Sequence, residues 1–267
     1  MIELLGYEFA RNALLSMVFL SVLAGVVGTY IVVRRMVFAA GGITHASFGG
    51  IGLAYYFGLN PTVGALVFAM ATALGVDVLS RRGNIREDSA IAMLWSLGMA
   101  VGVIFMSLTP GYAPNLMGFM FGDVLAVGFG DVVAIGVVAV LAVALAVVFY
   151  RPLLYASFDQ PFAKLVGWRV EIVSVVASVM MALSISLAIK SVGIILVLSV
   201  FTVPQTIAGL YARSMGRIMV LSSVVALVGC LGGLALSFVF DLPAGAVITA
   251  LLCLSLLVVK LVRLSQF

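Results

Sequence analysis

The chain has 267 residues, 64% of them hydrophobic and only 9% charged, with a net charge of +4 and a mean hydropathy of +1.32. A soluble domain carries about a quarter charged residues, so this composition is that of a polytopic membrane protein: about nine spans of ~20 residues fill the length and leave no space for a soluble catalytic or nucleotide-binding domain. Its basic residues are spread over the loops and form no patch, which excludes nucleic acid as a partner.

The first apolar run, 12–33, reads as an uncleaved span. Glu3 and Glu8 stand where a secretory signal is basic, the run has full length, and Arg34-Arg35 follow it. The second run, 36–58, has no charged side chain but contains His45, the sole histidine. An ionisable residue at membrane depth is by default a functional-site candidate. Gly41 and Gly42 lie four and three residues before it, and Gly49 and Gly52 four and seven after it. On a helix the imidazole therefore projects from a face without other side chains. Two readings fit that face: a reachable recess, or a close helix contact of the small-residue kind in which His45 only hydrogen-bonds a neighbour's carbonyl.

Spans 62–79 and 89–108 follow. Arg86-Glu87-Asp88-Ser89 open the fourth with carboxylates at a helix N-terminus, where the dipole favours them. The stretch 109–130 is too apolar for a free loop and too rich in Gly and Pro for a span. It reads as a short re-entrant helix near 114–121 or an amphipathic cap, since backbone at membrane depth must be buried or line a cavity. After a fifth span, 131–150, the segment 155–169 has the grammar of a two-turn helix: Asp159 as N-cap, Gln160-Pro161 in the first turn and Gly167 as the stop. Phe158, Phe162, Leu165 and Val166 give it an apolar side that so short a loop cannot cover. An exposed aromatic helix implies a docking partner or the lipid interface, and with Lys164 as its one basic residue the docking reading is preferred.

The last runs are 170–189, 192–210, 218–239 and 244–262. Pro204 should kink or break the seventh, with Thr202, Gln205 and Thr206 beside it to satisfy freed backbone groups. Cys230 and Cys253 both fall within spans and read as small hydrophobes. If the loops at 34–35, 80–86, 151–169 and 213–217 and the tail after 259 are cytoplasmic, they contain every Lys and Arg except Arg11 and Lys190. The positive-inside rule then puts the N-terminus outside and the C-terminus in the cytoplasm, which requires an odd number of spans. The expected fold is an all-α bundle of about nine transmembrane helices, one permease-like domain over 1–267, multi-pass in the cell membrane.

Several segments together resemble the membrane subunit of ABC-type importers for zinc, manganese and iron, over nearly the whole chain and in the same order. They are Arg34-Arg35-Met36-Val37-Phe38 leading into Gly41-Gly42-Ile43-Thr44-His45-Ala46-Ser47, then Arg86-Glu87-Asp88-Ser89 and Phe121-Gly122-Asp123. Ser157-Phe158-Asp159 with Phe162-Ala163 and Gly167 come next, followed by Val192-Gly193-Ile194 up to Pro204 and Asp241-Leu242-Pro243-Ala244-Gly245-Ala246. The resemblance implies a homodimer that works with a separate cytoplasmic ATPase and receives metal from an extracytoplasmic binding protein. It binds no cofactor of its own and is not itself an enzyme. It also implies that Phe158, Asp159, Phe162, Ala163 and Gly167 belong to the helix that couples the permease to the ATPase. In that family an aspartate commonly stands four residues before the histidine and the pair contacts metal; here Gly41 holds its place. The site is then either weaker or completed from elsewhere, by Thr44, Ser47 or the His45 of a second protomer. A neutral imidazole suits zinc, iron and related ions, and the reading leans to zinc within the zinc, manganese and iron class.

Other functions fit less well. An intramembrane metalloprotease needs more ligands than one histidine, and neither H-E-x-x-H nor G-x-S-x-G occurs. A secondary transporter needs coupling charges inside the membrane, whereas Asp77, Asp123 and Asp241 fall near span ends. An ABC permease for haem or a siderophore is the nearest rival, although larger substrates call for a wider path.

Overall fold

The computed structural model describes residues 7–81, 83–110, 122 and 124–265, all of its regular structure being helical. The expected helix at 114–121 lies outside the described residues. The elements are α1 (Glu8–Leu23), a π-helical turn (Ala24–Gly28), α2 (Thr29–Val33), α3 (Val37–Tyr56), α4 (Pro61–Arg81) and α5 (Glu87–Leu108). A short 3-10 turn (Val124–Ala126) leads to α6 (Phe129–Val148), α7 (Tyr150–Phe158), α8 (Gln160–Leu165), α9 (Val170–Val200), α10 (Val203–Tyr211), α11 (Met215–Phe240) and α12 (Ala244–Leu264).

Among the described residues, eight helical stretches are long and apolar enough to cross a membrane, where the sequence suggests about nine. The difference lies in one stretch of 42 residues, Val170–Tyr211, which unites the sixth and seventh runs. Its neighbours show that it runs along the bundle and back, as two crossings would. Ser174, Ser178 and Met181 share a cavity with Arg34 and Met36 at the basic end of the bundle. Ser186, Ile189 and Lys190 share another with Tyr55, Asn60 and Thr62 at the opposite end. Leu198 is then back beside Phe38, Gly41 and Arg35, and the Leu210 carbonyl accepts a 2.9 Å bond from Arg263 near the end of α12. The reversal falls at Gly193, whose φ of 79° and ψ of 165° suit glycine alone.

A second break, at Phe201–Thr202, precedes α10 and places Pro204 in a first turn, where its missing N–H is harmless. The polar residues around it close the gap as expected. Gln205 Nε2 donates to the Val200 carbonyl (3.3 Å) and, across the bundle, to Ala24 at the head of the π turn (2.6 Å). Thr202 and Thr206 hydroxyls donate back one turn. α7 is not foreseen by the sequence reading; Pro152 sits in its first turn, where a helix tolerates it.

Helices in lipid gain little from hydrophobic burial against each other and associate through close packing of small residues. α3 is the most enclosed span and shows this most clearly. A Cβ on Gly50 would lie 2.0 Å from the Gly64 carbonyl oxygen of α4; Cβ atoms on Gly49 and Gly52 would lie 2.7 and 2.5 Å from the carbonyl oxygens of Gly98 and Gly102 on α5. The backbones of α3, α4 and α5 therefore touch. On the other side of α3 the main core, with Met17, Leu20, Ile43, Ile185, Ile189, Leu196 and Phe201 almost fully buried, joins α1, α9 and α10.

Candidate metal path and coupling helix

His45 leaves α3 between these packed faces and is partly exposed. Its ring lies flat on the indole of Trp95 from α5, with centroids 4.6 Å apart and planes 8° from parallel. Phe38 meets the same indole at 5.9 Å. Stacking holds the imidazole through its face and leaves both nitrogens at the edge, and neither has a hydrogen-bond partner among the described residues. The glycine face thus divides. Gly42, Gly49 and Gly52 make the close contacts, whereas a Cβ at Gly41 would find only Leu198, 3.8 Å away. Gly41, Phe38, Trp95, Arg35 and Leu198 border an open cavity of about 570 Å³, which only Trp95 of the stacked pair lines.

Thr44 and Ser47 are fully buried on other faces of α3. Their hydroxyls donate to the carbonyls of Ala40 (2.7 Å) and Thr44 (2.6 Å). The structure does not bring them to the His45 ring. Among the described residues no group of three or more His, Cys, Asp or Glu side chains is placed to hold a metal ion. Trp95 is the residue that sequence reasoning misses: an aromatic on the fourth span carries no mark of which helix face it will meet.

At the basic end, α7 and α8 form a helical hairpin. Asp159 accepts from the Phe162 N–H at 2.9 Å and caps α8, Pro161 lies in its first turn, and Gly167, at φ 90°, ends it. Ala163 is completely buried with Ala156 and Val170, which fixes the hairpin to the start of α9. The Phe162 ring meets Tyr155 edge-on at 5.4 Å, and Lys164 pairs with Glu171 at 2.7 Å. Phe158 (71% exposed), Leu165 (86%) and Val166 (51%) remain uncovered beside the half-exposed Phe162. The apolar side foreseen from the sequence is present and, apart from the contact of Phe162 with Tyr155, largely uncovered among the described residues.

The profile of the ABC 3 transport family matches residues 6–263. The chain belongs to the ABC 3 transport family. It is 36% identical over 248 residues to an uncharacterised membrane protein of Synechocystis sp., covering 93% of this chain and 88% of that protein. It is 30% identical over 243 residues to the manganese transport system membrane protein MntC of Listeria monocytogenes, covering 91% and 86%. Its fold is similar to that of PsaBC from Streptococcus pneumoniae, solved in complex with Fab, with a TM-score of 0.86 and 29% identity over 97% of this chain and 93% of that one. The resemblance drawn from the ordered motifs is thus confirmed, as is the multi-pass helical membrane fold. In this ABC 3 protein the histidine, the stacked tryptophan and the exposed helix α8 occupy one scaffold.

Proposed function

We propose that the chain is the permease subunit of an ATP-binding cassette importer that carries a divalent transition metal into the cytoplasm. It works as a homodimer, takes metal from an extracytoplasmic binding protein and leaves ATP hydrolysis to a separate cytoplasmic subunit. The N-terminus is outside and the C-terminus inside, by the positive-inside rule. What supports this most is the whole-length likeness to relatives named for manganese transport.

His45 is the residue that meets the cargo. Its ring nitrogens, without a hydrogen-bond partner among the described residues, are ligand atoms for a first-row divalent ion, and a single imidazole with water or a second protomer's imidazole holds such an ion weakly enough to let it go. Manganese follows from the relatives' names. Zinc follows from the suitability of a neutral imidazole as its ligand, so the two compete for the assignment. Thr44 and Ser47 serve the path through the shape of α3, their hydroxyls being engaged within the helix. Phe158 and Phe162 are presented to the ATPase, Asp159 and Gly167 set the limits of their helix, and Ala163 anchors it.

Uptake of radioactive manganese and zinc into vesicles containing the permease, its ATPase and its binding protein tests the reading. His45→Ala should lower uptake at least tenfold at unchanged permease content, and the preferred metal should be the better competitor. Undiminished uptake would remove His45 from the path.

A further inference from the structure

Away from His45, the π turn Ala24–Gly28, the last turns of α6, α7, the first turns of α9 and the start of α11 enclose a groove of about 230 Å³. Its floor is buried and small or flexible (Ala146, Ala177, Met219), and its rim is exposed and apolar (Phe149, Ile172, Val176). It lies inside the span-length helices, just within the basic end, so its mouth opens on the hydrocarbon. Where α7 and α11 meet at this mouth, the Gly216 N–H donates to the Tyr150 hydroxyl at 3.2 Å. Each of these residues is followed by an exposed arginine, Arg151 and Arg217, and a third, Arg169, precedes Ile172 by less than one turn. The nearest carboxylate in sequence to Arg169, that of Glu171, is held by Lys164.

We propose that this groove is a binding site for one anionic phospholipid of the cytoplasmic leaflet, an acyl chain lying on the alanine floor and the phosphate group between the three arginines. Exposed guanidinium groups recognise phosphate in the interface, and an apolar groove at membrane depth takes hydrocarbon. A second copy of this chain is the less favoured occupant, because a two-fold contact over the groove would bring the exposed Arg151, Arg169 and Arg217 of both copies into one interface. A soluble partner cannot reach the floor. The lipid would wedge α6, α7 and α9 at the root of the α7–α8 hairpin.

Native mass spectrometry of the full-length permease, titrated with phosphatidylglycerol or phosphatidylcholine in detergent, tests this. One phosphatidylglycerol per chain should be retained at concentrations at which phosphatidylcholine is lost. Arg151→Gln, Arg169→Gln and Arg217→Gln together should erase that preference by at least tenfold. Ala177→Leu, which fills the floor, should abolish retention of both lipids, with Ala146→Leu as the second filling variant should the first lower the thermal midpoint. Retention unchanged in the arginine variant and in a well-folded filled variant would overturn the proposal. So would a filled variant that splits a dimer into monomers, which would make the groove a protomer interface.

Discussion

At the scale of single residues, glycine separates packing from function on α3. Gly50 has no space at all: its Cβ would lie 2.0 Å from a carbonyl oxygen of α4. Gly50→Ala must push two backbones apart, an overpacking that costs about 1–3 kcal/mol, and should lower the thermal midpoint of the solubilised protein by several degrees. Gly209 in α10 is the contrast, with nothing within 4 Å of its Cβ position. Gly209→Ala should leave the midpoint unchanged or raise it, since Ala exceeds Gly in helix propensity by up to about 1 kcal/mol. Gly41 has space too, and it shares a face with His45. Gly41→Asp should therefore fold and, by adding an oxygen ligand and a negative charge, should tighten divalent binding and move preference towards manganese. Metal competition in the uptake assay reads the shift; unaltered competition would mean that the two positions do not act on one ion.

At the scale of elements, the short helix α8 was legible and the reversal at Gly193 was not. The signals for α8 are local: a cap, a proline in the first turn and a glycine at φ 90° are each fixed by residues within one or two turns. The break at Gly193 answers a tertiary demand. Both runs are continuous apolar sequence, and one glycine among many does not announce that the chain turns back there. The stacking of His45 on Trp95 was hidden for the same reason, because two helix faces must be known before their side chains can be paired. The local character of α8 makes it separable by mutation. Asp159→Ala removes the cap at a cost of about 1 kcal/mol and should fray a two-turn helix without disturbing the spans. Phe162→Ala should leave the α8 cap intact and remove a half-exposed aromatic together with its edge contact to Tyr155. Both should reduce co-purification of the ATPase while membrane insertion stays normal, with Phe162→Ala leaving thermal stability closer to the parent. Undiminished co-purification in both would assign the exposed face to another role.

For the whole molecule, the decisive quantity is the parity of the crossings. Eight long helices with one crossing each would return the C-terminus to the side of the N-terminus. Two crossings within Val170–Tyr211 make nine and put the termini on opposite sides. The contacts favour nine, because Lys190 lies by Asp131 at the end opposite the arginines, paired at 2.7 Å, whereas Leu210 is bonded to Arg263 at the basic end. Charge gives the same parity independently, since every Lys and Arg but Arg11 and Lys190 falls on one side only if the chain reverses at Gly193. A fluorescent reporter fused after Phe267 should fold and fluoresce in the cytoplasm, and a maleimide-labelled cysteine replacing Asn60 should react from outside in intact cells. A cysteine replacing Arg213 should react only after permeabilisation. Labelling of positions 60 and 213 both from outside would mean a single crossing and would move the C-terminus outside while leaving α8 in the cytoplasm.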